Sequence, residues 1–104
     1  MHRGEVWWAN LSGPAGRRPV LLLSRESVYS TRSSATVAAF TSTIRGIPVE
    51  VPLGPEDGMP AKCVVNLDEI TTVLKSRLPD QITVLSAEKM TEVNKAIIFA
   101  LDLR

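Results

Sequence analysis

Two short clusters in this sequence carry groups suited to a phosphate. Gly16-Arg17-Arg18-Pro19 sets two guanidinium groups directly before the apolar run Val20 to Leu23. Thr41-Ser42-Thr43 ends a second strand-like run with three hydroxyls. A guanidinium stays charged and forks onto two phosphate oxygens, while a hydroxyl donates to a third. Pro19 has no N–H to give a β-ladder and fits the start of a strand. Val20 to Leu23 read as a strand buried on both faces. Arg17 and Arg18 then stand where a loop passes into a rigid element. If this strand and the one ending at Thr41 are antiparallel neighbours, the start of one lies beside the end of the other, and Arg18 meets Thr41 at one rim.

Other chemistries find less material. His2 is the only histidine and Cys63 the only cysteine, so a single chain can assemble neither a two-histidine acid–base pair nor a Cys/His metal site. Cys63 has no evident activating base and reads as strand packing. No phosphate-loop or dinucleotide fingerprint occurs, so no cofactor is implied. A chain of 104 residues, 44% hydrophobic and 22% charged, is expected to form one domain over residues 1–104 around a single core. The lone cysteine, the absence of an apolar segment behind Met1-His2-Arg3-Gly4-Glu5 and the lack of a run near 20 apolar residues point to the cytoplasm.

The elements that must hold these groups are short. Glu5 to Asn10 reads as a first strand, with Val6 and Trp8 on one face and Trp7 and Ala9 on the other. Both tryptophans are most simply packing, with base stacking as the functional alternative. Leu11 to Gly16 is a loop, Pro19 to Ser24 the second strand and Thr36 to Thr43 the third. One helical turn is expected around Glu26 to Tyr29. Ile47 to Val51 reads as an edge strand because of Pro48, and Pro52 to Pro60 as a loop. Lys62 to Leu67 and Glu69 to Leu74 are two strands, or one bent near Asn66-Leu67-Asp68. A turn over Lys75 to Leu78 and a strand over Gln81 to Leu85 follow. Ser86 caps a helix whose stripe is Met90, Val93, Ile97 and Leu101, widened by Ala96, Ile98 and Ala100. Short strands followed by one helix fit a β-rich α+β fold, a small barrel closed by a terminal helix.

Arg3-Gly4-Glu5-Val6-Trp7, Arg18-Pro19-Val20-Leu21 and Ala38-Ala39-Phe40-Thr41 together resemble the MazF/PemK family. Cys63-Val64-Val65-Asn66-Leu67-Asp68-Glu69-Ile70 and Arg77-Leu78 extend that resemblance over nearly the whole chain. It implies a small SH3-like barrel of the CcdB/PemK kind with a C-terminal helix. It also implies the toxin of a type II toxin–antitoxin pair, a sequence-specific endoribonuclease acting on single-stranded RNA without metal. Arg18 matches the family's catalytic arginine, Thr41 its catalytic hydroxyl, and Asp68 an acidic position that some members use. Arg17, Trp8, Ser42, Thr43 and Asn66 are the expected RNA contacts, Asn66 standing where some members carry an arginine. The loop Gly13 to Gly16 is shorter than the family's usual version and lacks its frequent histidine and acid.

The resemblance further implies a homodimer with RNA across both subunits, and an antitoxin whose acidic C-terminal segment occupies the same groove. Cleavage without metal requires the 2′-OH to attack the adjacent phosphorus, leaving a 2′,3′-cyclic phosphate and a 5′-OH. Because a guanidinium stays charged, Arg18 suits charge stabilisation and donation to the leaving oxygen better than proton abstraction. Asp68 is the best available base. Two other classes share the barrel: a gyrase-poisoning, CcdB-like toxin that would not depend on Arg18, and an RNA-binding barrel that yields no product.

Overall fold

The run after Pro19 is the middle of the molecule. In the computed structural model, which describes residues 1–103, β1 (Glu5–Asn10), β2 (Arg17–Leu22), β3 (Ser34–Thr41), β4 (Glu50–Leu53), β5 (Cys63–Leu74) and β6 (Asp80–Val84) form one antiparallel sheet. Its order is β4-β5-β3-β2-β1-β6, so β2 has a strand on each side. Two helices accompany it, the single-turn α1 (Val28–Thr31) and the long α2 (Ala87–Ala100). Leu21 faces one apolar cluster while Val20 and Leu22 face another, and all three are 0–1% exposed. The run is buried on both faces, as its composition requires.

The larger cluster joins Val6 of β1, Leu21 of β2, Phe40 of β3, Val51 of β4 and Leu67 of β5 to Val93 and Ala96 of α2. In a flat sheet β1 and β4 would stand roughly 19 Å apart, four strand spacings. One cluster shared by five strands therefore requires a sheet curled around it, with α2 as the plug. The smaller cluster, from Ala9 and Val20 to Leu78, covers the outer face. Ser86 Oγ accepts from Lys89 N at 3.1 Å and fixes the start of α2. Arg3 ties the N-terminus to that helix, its Nη2 donating to Asn94 Oδ1 at 2.7 Å and its Nε to the Leu23 carbonyl at 3.1 Å. Gly4 sits between them at φ +96°, a left-handed conformation that a side chain would strain.

Several boundaries differ from the expectation. β2 starts two residues earlier than Pro19, so Arg17 and Arg18 belong to the strand and pair with Asn10 and Ala9. β3 covers Ser34–Thr41, leaving Ser42 and Thr43 just past its end. β4 is an edge strand, but it contains Pro52 and excludes Pro48. A proline is tolerated there because an edge strand has only one ladder to serve. β5 is one bent strand. The short helix begins at Val28 rather than Glu26. At the end of α2, Val93 and Ala96 are buried and Met90 and Ile97 half-buried, but Ile98 and Leu101 are 50% and 55% exposed. The sheet is too narrow to cover that last turn. Among the described residues no helix is long and apolar enough to cross a membrane.

Candidate active site

Two interruptions in the sheet lie close together and open it. The β2–β3 ladder runs from Leu22↔Val37 to Val20↔Ala39 and stops where Pro19 has no N–H to offer. Continued by two residues, the same register sets Arg18 across from Thr41. The second interruption is in β5. Between Ala38↔Ile70 and Phe40↔Val65, β3 advances two residues while β5 moves five, so β5 bulges opposite Ala39. The bulge carries Asn66, Asp68 and Glu69, and Asn66 Oδ1 braces it by accepting from Asp68 N at 2.8 Å.

Each interruption borders a cleft, and Arg18, Phe40 and Thr41 line both. The first, of about 300 Å³, is mostly apolar: Trp8, Pro19, Met59, Pro60 and Cys63 wall it, with Lys62 at its side. The second, of about 190 Å³, is polar, with Thr43, Arg45, Glu50, Asn66 and Glu69 around it. Phe40, 2% exposed, is their common floor. Arg18 and Thr41 form the ridge between them.

Trp8, Arg17, Arg18, Thr41 and Ser42 meet at the first cleft, and Thr43 and Asn66 join Arg18 and Thr41 at the second. Asp68 lines neither; it is exposed on the bulge, with its backbone held by Asn66. The acids at the second cleft are instead Glu50 and Glu69. Glu50 is engaged, since Oε1 accepts from Arg45 N at 3.0 Å and from Gly46 N at 2.9 Å. Arg18 makes no ion pair among the described residues, which leaves its fork free for an incoming oxyanion. Thr41 Oγ1 accepts from Thr43 N at 3.2 Å, leaving its own O–H to donate outward.

Arg17 is differently placed. Its guanidinium lies 4.5 Å from the Trp8 ring centroid and 3.8 Å from an Asp80 carboxylate oxygen. Both contacts are exposed, worth together about 1 kcal/mol. One face of Trp8 is thus already covered by Arg17. Trp7 belongs to the outer cluster, and its Nε1 donates to the buried Glu5 Oε1 at 2.9 Å. Cys63 is buried in the core, and desolvation, aided by the charge of Asp57, pushes its thiol up. It packs and stays protonated. Arg77 donates to the Asn10 carbonyl at 3.3 Å while Leu78 is buried beneath it, so this pair braces β1 rather than the clefts.

The wall formed by Met59 and Pro60 lies at the end of the segment Pro52 to Pro60, which the sequence marks only as loop. Its one signal was Met59, a large apolar residue in a polar segment; here it is 4% exposed. Gly58, at φ +88°, turns the chain so that Met59 points inward; a Cβ there would collide with the Thr83 side chain.

Residues 2–101 match the family model described as PemK-like, MazF-like toxin of type II toxin-antitoxin system. The chain belongs to this family. A probable endoribonuclease MazF5 of Mycobacterium tuberculosis is 39% identical over 101 residues, covering 96% of this chain and 92% of the relative. A probable endoribonuclease MazF2 of the same species is 40% identical, covering 88% and 89%. Among solved structures, the M. tuberculosis toxin MazF-mt6 superposes with a TM-score of 0.88 at 35% identity, covering 96% of this chain and 98% of that one. An endoribonuclease solved in complex with its cognate antitoxin, from a mycobacterial species, reaches 0.89 at 30% identity, covering 100% and 97%. The curled sheet with its C-terminal helix is the fold of this PemK/MazF family, and endoribonuclease is its class of activity.

Proposed function

We propose that this PemK/MazF-family chain cuts single-stranded RNA by attack of a 2′-OH on the neighbouring phosphorus, with Arg18 and Thr41 holding that phosphate. The observation that carries this reading is the ridge: an unpaired guanidinium and an outward hydroxyl, across from each other, with a cleft on either side. Charge develops on the non-bridging oxygens as the 2′-oxygen adds, and a fixed donor pair aimed there lowers the barrier without reorganising. Arg18 supplies the charge and a proton donor toward the departing 5′-oxygen; Thr41 supplies a second hydrogen bond. The nucleophile comes from the substrate, so the scheme asks for no metal. Asp68 lines neither cleft, so in this scheme the 2′-proton passes to solvent water rather than to its carboxylate, and solvent restores the proton that Arg18 gives to the departing 5′-oxygen.

The two clefts suit the nucleotides on either side of that phosphate. Trp8, Pro19 and Met59 offer a surface for a base to lie on, and Arg17, Ser42 and Lys62 reach backbone oxygens. The Arg17–Arg18 rim also suits the acidic segment of a cognate antitoxin, the kind of partner with which one structural neighbour was solved. A homodimer would cover Ile98, Phe99 and Leu101 at the end of α2, which are half or more exposed. Sedimentation at micromolar concentration tests the dimer; a clean monomer contradicts it.

The reading is tested by incubating the protein with a long RNA in a chelating buffer and mapping the ends. Discrete cuts leaving 2′,3′-cyclic phosphate and 5′-OH are expected. Intact RNA, or cuts leaving 5′-phosphate, contradict it.

A further inference from the structure

A third cleft, of about 400 Å³, lies toward the other end of β3 from the ridge. Thr36 lines it, and on that strand Thr36 stands roughly 17 Å from Thr41 at the usual rise per residue. Its polar lining is Ser24, Arg25, Arg32, Ser34, Thr36 and Thr72, and every other lining residue is apolar. The side chains therefore bring two guanidinium groups, four hydroxyls and no carboxylate. Neither arginine makes an ion pair among the described residues. Glu26, the acid next to Arg25 in sequence, is engaged elsewhere: Oε1 lies 2.8 Å from His2 Nδ1, and Oε2 accepts from Arg3 N at 2.8 Å. The nearby carbonyls are engaged as well. Leu23 O accepts from Arg3 Nε, Ser24 O from Tyr29 Oη, Arg25 O from Val28 N and Val28 O from Arg32 N. Ser24 is 9% exposed, and its Oγ accepts from Thr36 N at 2.8 Å, which leaves its O–H to donate. The α1 side of the cleft is held in place, since Val28 is buried and Lys75 Nζ donates to the Tyr29 carbonyl at 2.7 Å.

We infer that this cleft is an anion site that takes a phosphate group, separate from the Arg18–Thr41 ridge. Arg25 and Arg32 supply charge and forked donors, and the hydroxyls complete the shell around a tetrahedral oxyanion. The acceptors that would repel such an ion are absent from the side chains or already bonded in the backbone. The chain carries a formal net charge of only +1, so two cations lining one cleft without an acid are a local concentration of positive charge. A phosphate uses more of these donors than a carboxylate does, because it has more oxygens to offer. The group has two sources, a backbone phosphate farther along an RNA strand held at the ridge, or free phosphate. A strand several nucleotides long covers the roughly 17 Å between the two places, and the first source extends the grip on RNA beyond the cut. The third cleft shares no lining residue with the other two, so the site stands whether or not the ridge cuts RNA.

The test compares the wild-type protein with Arg25→Ala/Arg32→Ala. Both arginines are exposed, so the substitutions open no core cavity, and circular dichroism verifies the fold. Two strands centred on one sequence, of about four and about sixteen nucleotides, carry a 2′-deoxy sugar at the central position and are titrated by fluorescence anisotropy at several salt concentrations. With a backbone phosphate as the source, the double substitution should weaken the long strand by about tenfold or more and spare the short one. The slope of log K against log salt for the long strand should fall by about 1.4, two phosphate contacts. In a parallel arm, inorganic phosphate is titrated into the Arg18→Ala protein, which removes competition from the ridge, and backbone amide shifts are followed by NMR. With free phosphate as the source, saturable shifts at Ser24, Arg25 and Arg32 should appear and be lost when Arg25 and Arg32 are also replaced, while the long strand binds unchanged. The site is overturned if the double substitution alters neither the advantage of the long strand over the short one nor the phosphate shifts. Every arm reads binding alone, so a protein that cuts no RNA would end the reading of the ridge without deciding this site.

Discussion

The two clefts share a ridge and a floor but are built from opposite defects. The first opens where a residue cannot continue a ladder, at Pro19, and its walls are apolar side chains that a loop folds inward. The second opens where a strand has residues to spare, at the β5 bulge, and its walls are polar. A ladder that stops exposes side-chain surface, which a flat ring can lie on whatever its sequence. A bulge redirects individual side chains, and those can distinguish hydrogen-bonding edges. One sheet thus sets an apolar-walled cleft and a polar-walled one on either side of the Arg18–Thr41 ridge.

The shared ridge should matter most. Arg18→Ala is expected to lower cleavage by about 10²–10³-fold or more while leaving stability within about 0.5 kcal/mol, because it removes a charge and no core atoms. Arg18→Lys should recover little, since an ammonium does not fork. Single-turnover rates with a denaturant melt check both. Next comes Thr41→Ala, which withdraws one hydrogen bond to a charged phosphate and is expected to cost about 10- to 100-fold in the same assay. A wild-type rate in either variant would mean that the ridge is scenery between two binding clefts.

The remaining two separate the clefts. Gly58→Ala forces a side chain onto φ +88° and against Thr83, so about 1–3 kcal/mol of stability should be lost, read by urea unfolding. It should loosen the first cleft, which Met59 walls, and leave the second, which it does not line, unchanged. Arg17→Ala has the smallest expected effect. RNA binding should weaken a few-fold, with the slope of log K against log salt falling by about 0.7, one phosphate contact to a single strand. If the salt slope were unchanged in Arg17→Ala, Arg17 would not be a phosphate contact.

The first defect was legible in the sequence because its cause is one residue. Pro19 beside two arginines declares both the end of a ladder and the charge placed there, and antiparallel register then brings Thr41 across. The six strands and capped helix were legible for a similar reason: apolar runs, Gly/Pro punctuation and Ser86 are local signals. The second defect was only half visible. Asn66-Leu67-Asp68 marked a bend, but how many residues a bulge absorbs depends on its partner strand. With that phase unknown, the resemblance alone pointed to Asp68, whereas the acids that line the second cleft are Glu50 and Glu69. The inward turn of Met59 was hidden because it depends on joining the core cluster around Phe40, a residue distant in sequence. Strand ends slipped by two or three residues at β2, β3 and β4, where neighbour pairing rather than propensity decides where a ladder stops.

The central claim is that a substrate 2′-OH attacks a phosphate held by Arg18 and Thr41. It is tested most directly by replacing one sugar. A strand with a single 2′-deoxyribose at the scissile nucleotide should bind the wild-type protein within about threefold of its all-ribose counterpart, since one hydroxyl contributes little to binding. It should remain uncut over a time in which the all-ribose strand is consumed, leaving no cyclic phosphate. Cutting of the deoxy strand at the same position would contradict the account, because the nucleophile would then have to come from elsewhere.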